Sequence, residues 1–216
     1  MTRIQMILFV IALVFMNWMP ARAALPEKRI GVLFWNEAPR YTDAKKGIVD
    51  QLKIEGFAEP IVQFFIVNAD GNKAKAVEAV HTFTVEKMDM IISLGTSATL
   101  AVTRDVKDVS VVFSSVFDPV ASKIAKSWQS SDNNTTGASN RVPLSMPLSR
   151  LKEFAPVKTL AVLYTANELN SVTQLKELQG LQADFQIKII PVPLTSAEDV
   201  TQVLPEVMRG VDALYL

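Results

Sequence analysis

The chain has no cysteine and a single histidine, His81. Without thiols there is no disulfide framework, no zinc–thiolate centre, no thiol nucleophile and no cysteine to carry a lipid anchor. One histidine leaves no His-rich metal site and takes the support from a Ser-His-Asp mechanism. A charge excess is missing too. The 22 Lys and Arg equal the 22 Asp and Glu, so the basic footprint that nucleic acid demands is absent and no nucleic-acid partner is expected. With only 8 glycines, neither a Gly-x-x-x-x-Gly-Lys phosphate loop nor a Gly-x-Ser-x-Gly nucleophile elbow occurs. What the chain does have is apolar residues, 49% of its 216, enough for real cores in one or two domains.

Residues 1–23 read as an export signal rather than as part of the fold. Arg3 gives a short basic start, residues 4–19 are almost wholly apolar, Pro20 breaks the helix, and Ala21-Arg22-Ala23 places small residues at a cleavage site. The alternative is an uncleaved anchor helix, although the apolar stretch falls short of the ~20 residues that a span prefers. Cleavage after Ala23 removes two arginines and leaves a mildly acidic chain. The expected location is the periplasm, with no stable membrane insertion after cleavage.

Beyond Ala23 the pattern alternates. Short apolar runs rich in strand formers fall at 29–35, 61–67, 89–94, 110–116, 136–139, 159–164, 185–192 and 213–216. Helical spacing falls at 43–56, 73–84, 97–106, 119–128, 171–181 and 196–208. Such alternation predicts right-handed βαβ crossovers and an α/β fold of two doubly wound, parallel-sheet lobes. Residues 127–147, rich in Ser, Asn, Thr and Pro, read as the crossover between lobes. The expected division is 1–23 signal peptide, 24–140 N-terminal lobe and 141–216 C-terminal lobe, the second lobe incomplete because the sequence stops inside a strand.

Ligands of open α/β sheets sit beyond the carboxyl ends of strands, where helix starts present free N–H groups. The candidate residues therefore lie at strand-to-helix junctions. In Ser93-Leu94-Gly95-Thr96-Ser97-Ala98, Gly95 permits close backbone approach while Thr96 and Ser97 either cap the helix or turn hydroxyls to a bound anion. At Phe117-Asp118-Pro119, Asp118 is an N-cap, with a second reading in which it also accepts from a ligand ammonium. Ahead of the second lobe's first helix, Asn170 or Ser171 is the expected N-cap and, in the functional reading, a polar ligand contact. Trp35 ends the first strand, either as core edge or as a stacking surface for an apolar ligand.

These junctions carry a family resemblance. Gly47-x-x-x-x-Leu52-x-x-x-Gly56, Leu94-Gly95-Thr96-Ser97-Ala98, Phe117-Asp118-Pro119-Val120, Asn134-Thr135-Thr136-Gly137-Ala138-Ser139, Leu163-Tyr164 with Glu168-x-Asn170-Ser171, and Ser196-x-Glu198-Asp199-Val200 stand in order along most of the chain. In this set the chain resembles the ABC-transporter substrate-binding proteins, whose members include binders of tryptophan and other aromatic amino acids. The resemblance implies the type I periplasmic-binding-protein fold, a ligand held between two lobes and delivery to an inner-membrane ABC permease. It also implies cleft contacts at Thr96, Ser97, Asp118, Ser139, Asn170 and Ser171. The pair Trp35-Asn36 matches no family pattern, and the family's further loop and return to the first lobe have no counterpart before Leu216.

Two classes of function follow. One is a solute-binding component that captures a small molecule, an amino acid above others, with no cofactor and no chemistry. The other is an exported α/β enzyme, which needs an acid–base pair that the sequence does not display at a recognised spacing. A sensory ligand-binding domain shares the fold of the first.

Overall fold

Eight strands, all paired in parallel, make two separate sheets in a computed structural model that describes residues 28–196 and 199–216. The proposed export signal lies outside the described residues. The first sheet contains β1 (Lys28–Phe34), β2 (Val62–Asn68), β3 (Met90–Leu94), β4 (Ser110–Val116) and β5 (Thr135–Ser139), in the spatial order β2-β1-β3-β4-β5. The second contains β6 (Thr159–Thr165), β7 (Lys188–Leu194) and β8 (Ala213–Tyr215), ordered β7-β6-β8.

Helices cover the sheets: α1 (Pro39–Ile54), α2 (Lys73–Val85) and α3 (Thr96–Asp105) on the first, and α4 (Ser145–Phe154), α5 (Leu169–Gly180), the one-turn α6 (Gln182–Phe185) and α7 (Asp199–Val207) with the second. Each sheet carries its own core, as strands buried on both faces require. Around the first, Leu33, Phe83, Ile91 and Leu94 are buried. Around the second, Leu160, Val162, Leu178 and Ile187 are buried. The chain passes from one sheet to the other between Ser139 and Ser145, and α4 packs with the second core through Leu144 and Leu148.

Strand order determines where a ligand crevice can lie. In the first sheet the chain moves from β1 outward to β2, then crosses back to β3 on the other side of β1. In the second it does the same around β6. Each reversal opens a crevice at the carboxyl ends of the strands involved, β1/β3 in one sheet and β6/β8 in the other.

Local chemistry shapes these ends. The backbone turns from β3 into α3 at Gly95, whose φ of +101° is a conformation other residues rarely adopt. A Cβ there would also stand 2.8 Å from the Tyr41 ring. Behind it, the Ser93 and Thr99 hydroxyls share a hydrogen bond of 2.9 Å, and the Thr99 hydroxyl donates to the Gly95 carbonyl. In β4 the register shifts between Phe113 and Val116, and Ser115 takes a φ of +56°. Such a bulge re-aims a side chain at the end of a strand.

Three sequence expectations need correction. Residues 119–128 do not form a helix. The N–H groups of Ile124 and Ala125 both reach the Pro119 carbonyl, and Lys123 is left-handed at φ +58°, so the segment closes as a tight turn. The helix α4 stands where a polar crossover was expected up to residue 147. Its apolar face is narrow, with Leu148 its one buried residue. Finally, α5, which α4 precedes in the second unit, starts at Leu169 with Glu168 as N-cap, not at Asn170 or Ser171. The Ser171 hydroxyl oxygen instead accepts from the Thr165 N–H at 2.9 Å, fastening the helix to the end of β6.

Candidate functional site

Both crevices open into one cleft of about 540 Å³. From the first sheet it is lined by Asn36, Arg40 and Tyr41, which follow β1, and by Ser115 and Phe117 at the end of β4. The crossover adds Asn140, Val142 and Leu144. From the second sheet come Tyr164 and Thr165 of β6, Glu168, Asn170, Ser171 and Gln174 around α5, and Tyr215 at the end of β8.

Polar groups predominate on these walls, and few of them are charged. Among the described residues Arg40 is the cleft's one lining cation and Glu168 its one lining acid, and they belong to opposite sheets. The Arg40 guanidinium lies over the Tyr41 ring, 4.7 Å from its centroid. Burial pushes the Tyr41 hydroxyl above its ordinary value, against the opposing pull of Arg40. Burial likewise raises Tyr215, whose hydroxyl donates to the Gln174 side-chain carbonyl at 3.2 Å. The Asn170 Oδ1 is buried and has no hydrogen-bond partner among the described residues. A buried carbonyl oxygen left without a donor costs about 1–3 kcal/mol, which an N–H from a bound molecule recovers. Tyr41, Phe117, Tyr164 and Tyr215 bring aromatic side chains to the lining.

The residues singled out from sequence fall at different depths. Asn170 and Ser171 line the cleft. Trp35 does not: it is 2% exposed, and its Nε1 donates to Glu168 Oε1 at 2.7 Å, joining the two sheet units. Gly95 lies behind Tyr41, and Thr96 is buried. Ser97 lines a separate chamber on the other side of the α5 start. Asp118 accepts from the N–H groups of Val120 and Ala121 at 3.0 and 2.8 Å and stands 3.7 Å from Arg141 Nε. Arg141 in turn pairs with Glu177 at 2.9 Å, which raises its pKa. Ser139 donates to the Phe117 carbonyl at 2.7 Å and accepts from the Arg141 N–H, so it shapes the crossover behind Phe117.

Arg40, Tyr41, Glu168, Gln174 and Tyr215 escaped the sequence reading. The β1–α1 junction follows the same rule as the others, and scanning it past Trp35 reaches Arg40 and Tyr41. Gln174 lies one helical turn beyond Asn170, on the same face.

Among the described residues no group of three or more His, Cys, Asp or Glu is placed to hold a metal, and no helix is long and apolar enough to cross a membrane.

Known proteins share this architecture. The chain is 24% identical over 192 residues to a tyrosine-binding protein of Clostridioides difficile, a match covering 88% of this chain and 56% of the relative. It superposes with a TM-score of 0.82 on an ABC domain from Streptococcus pneumonia in complex with L-Trp, at 25% identity, covering 87% of this chain and 64% of that one. Against a ligand-free, open substrate-binding protein with adhesive properties from Clostridium difficile the TM-score is 0.64 at 27% identity, again over 87% of this chain and 64% of that one. The chain thus spans between about half and two thirds of the length of these relatives. The two-sheet arrangement is the type I periplasmic-binding-protein fold. Residues 29–216, all but the first strand residue of the first sheet onward, match the family described as ABC transporter substrate binding protein, and the chain belongs to that family.

Proposed function

We propose that the chain captures a small zwitterion, an amino acid with an aromatic side chain, in the cleft between its sheets. It acts as the solute-binding component of an ABC transporter on the outer side of the cytoplasmic membrane. The observation that carries this reading is Asn170, a residue of the cleft lining whose buried Oδ1 has no hydrogen-bond partner among the described residues and suits an ammonium N–H. Arg40 on one wall suits a carboxylate and Glu168 on the other adds negative charge for the ammonium. The rings of Tyr41, Phe117, Tyr164 and Tyr215 suit an aromatic body.

The relatives' own ligands agree with this assignment, one being tyrosine-binding and one holding L-Trp. Asn170 and Ser171 then touch the solute. Trp35, Gly95, Thr96, Asp118 and Ser139 hold the residues that do, and Ser97 stands apart. Release is reversible, and no bond of the solute is made or broken. A membrane permease receives the solute, and the 1–23 segment exports the chain to the periplasm.

Thermal-shift screening of the chain against amino acids, sugars and nucleosides tests the reading. Tyrosine, tryptophan or phenylalanine should raise Tm, and Asn170→Ala should weaken that response about tenfold, in line with loss of a charge-assisted hydrogen bond. A response to sugars with none to amino acids overturns it.

A further inference from the structure

The start of α5 divides the space between the two units. Glu168, Asn170 and Ser171 face the cleft, whereas Asn167 and Leu169 face a second chamber of about 480 Å³ against α2 and α3. The division is fastened by two contacts, the Trp35–Glu168 hydrogen bond and a 3.0 Å bond from the Lys73 ammonium to the Asn167 carbonyl.

This chamber is chemically unlike the cleft. Its wall is apolar, built from Val77, Leu100, Ala101 and Leu169, and Val77 and Leu169 remain 37% and 40% exposed. Exposed aliphatic side chains gathered in a concavity, rather than scattered singly, mark a binding surface. Its charges are all of one sign. Lys73, Arg104 and Lys123 line it, and among the described residues no Asp or Glu does. Arg104 is paired with its neighbour Asp105 at 3.0 Å, outside the chamber. The Lys123 ammonium has no hydrogen-bond or ion-pair partner among the described residues, and Lys123 is exposed on a left-handed turn of the chamber's lining. Ser97, the hydroxyl that the sequence placed at a ligand junction, opens here.

We propose that this chamber is a second binding site, for a free amphipathic monoanion: a small molecule with an aliphatic body against Val77, Leu100 and Leu169 and one carboxylate at Lys123. The volume lies within the ~300–1,000 Å³ typical of small-ligand pockets. Because the walls come from both sheet units, an occupant bridges them.

The test titrates the chain with sodium octanoate and, separately, with uncharged octanamide, following backbone amide NMR shifts. Octanoate should shift amides of α2, α3 and the 119–124 turn, and octanamide should bind about tenfold more weakly. Lys123→Glu and, independently, Val77→Asp should each weaken octanoate about tenfold. Both sites are exposed, so the fold tolerates either change. Asn170→Ala, which removes a cleft group, should leave octanoate affinity unchanged, so the outcome is separable from that of the amino-acid screen. Equal affinity for octanoate and octanamide, undiminished binding by Lys123→Glu, shifts confined to the cleft, or no octanoate response overturns the proposal. Retention on phosphatidylglycerol vesicles that is lost in Lys123→Glu, with no octanoate response, would assign the patch to a lipid surface and equally overturn it.

Discussion

The Trp35 indole N–H meets the Glu168 carboxylate at 2.7 Å, linking the first position after β1 to the N-cap of α5. The donor belongs to one sheet and the acceptor to the other, so the contact is possible only when the two units are together. Because Trp35 is 2% exposed, its N–H has little access to water as a substitute. Trp35→Phe should destabilise the chain by about 1–3 kcal/mol, the range for a hydrogen bond to a charged group together with the lost ring volume. Urea unfolding at neutral pH measures it, and an unchanged midpoint would show that the link carries no energy.

Gly95 satisfies two constraints at once, a positive φ and contact with the Tyr41 ring. Gly95→Ala should cost about 2 kcal/mol or more, since a residue held in a sparsely populated region costs ~1–3 kcal/mol before any displacement of Tyr41 is counted. A lowered Tm together with weaker solute binding is expected, because Tyr41 is also a cleft wall. A stable variant with full binding would mean that the β3–α3 turn relaxes freely.

Asp118→Ala removes a cap for the N–H groups of Val120 and Ala121. The expected cost is about 1 kcal/mol. Arg141 keeps its 2.9 Å pair with Glu177, so the crossover holds its place. Asp118 does not line the cleft, and solute affinity should change less than twofold. A large loss of affinity in a folded Asp118→Ala protein would return Asp118 to the set of direct contacts.

The Asp199 carboxylate is held down to about 2 by the Thr195 hydroxyl, with the N–H groups of Thr195 and Ser196 adding to it. An unfolded Asp titrates near 3.9, so the folded form binds fewer protons between these values and stability rises with pH there. The contribution of Asp199 is thus complete above roughly pH 4 and disappears as pH falls through about 2. Comparing the chain with Asp199→Asn by urea unfolding should show a gap near pH 6 that closes by about pH 2. A gap independent of pH would assign the effect to something other than the charge.

Strand and helix alternation was legible because buried parallel strands read as continuous apolar runs. Met90-Ile91-Ile92 and Leu160-Ala161-Val162-Leu163 lie in β3 and β6 as read. The turn at 119–124 was not legible, because Asp-Pro starts a helix and a capped turn equally well and Lys123 carries no signature of its left-handed backbone. Nor was the layering of the site. Sequence places Trp35, Gly95 and Asp118 at the right ends of the right strands, but only the packing puts Tyr41 in front of Gly95 and ties Trp35 to Glu168. Arg40 and Glu168 lie 128 residues apart in sequence, and nothing local to either announces the other.

One feature of the second sheet bears on how the chain meets its neighbours. Along β7, the Lys188 N–H points to β6 through its bond to the Lys158 carbonyl, so the alternate residues 189, 191 and 193 point outward. Two of these are Pro191 and Pro193, which have no N–H, and the third, Ile189, spends its N–H on the Gln182 side-chain carbonyl at 2.8 Å. That margin therefore offers no amide hydrogen to a foreign polypeptide, a proline-guarded border that resists amyloid-style recruitment.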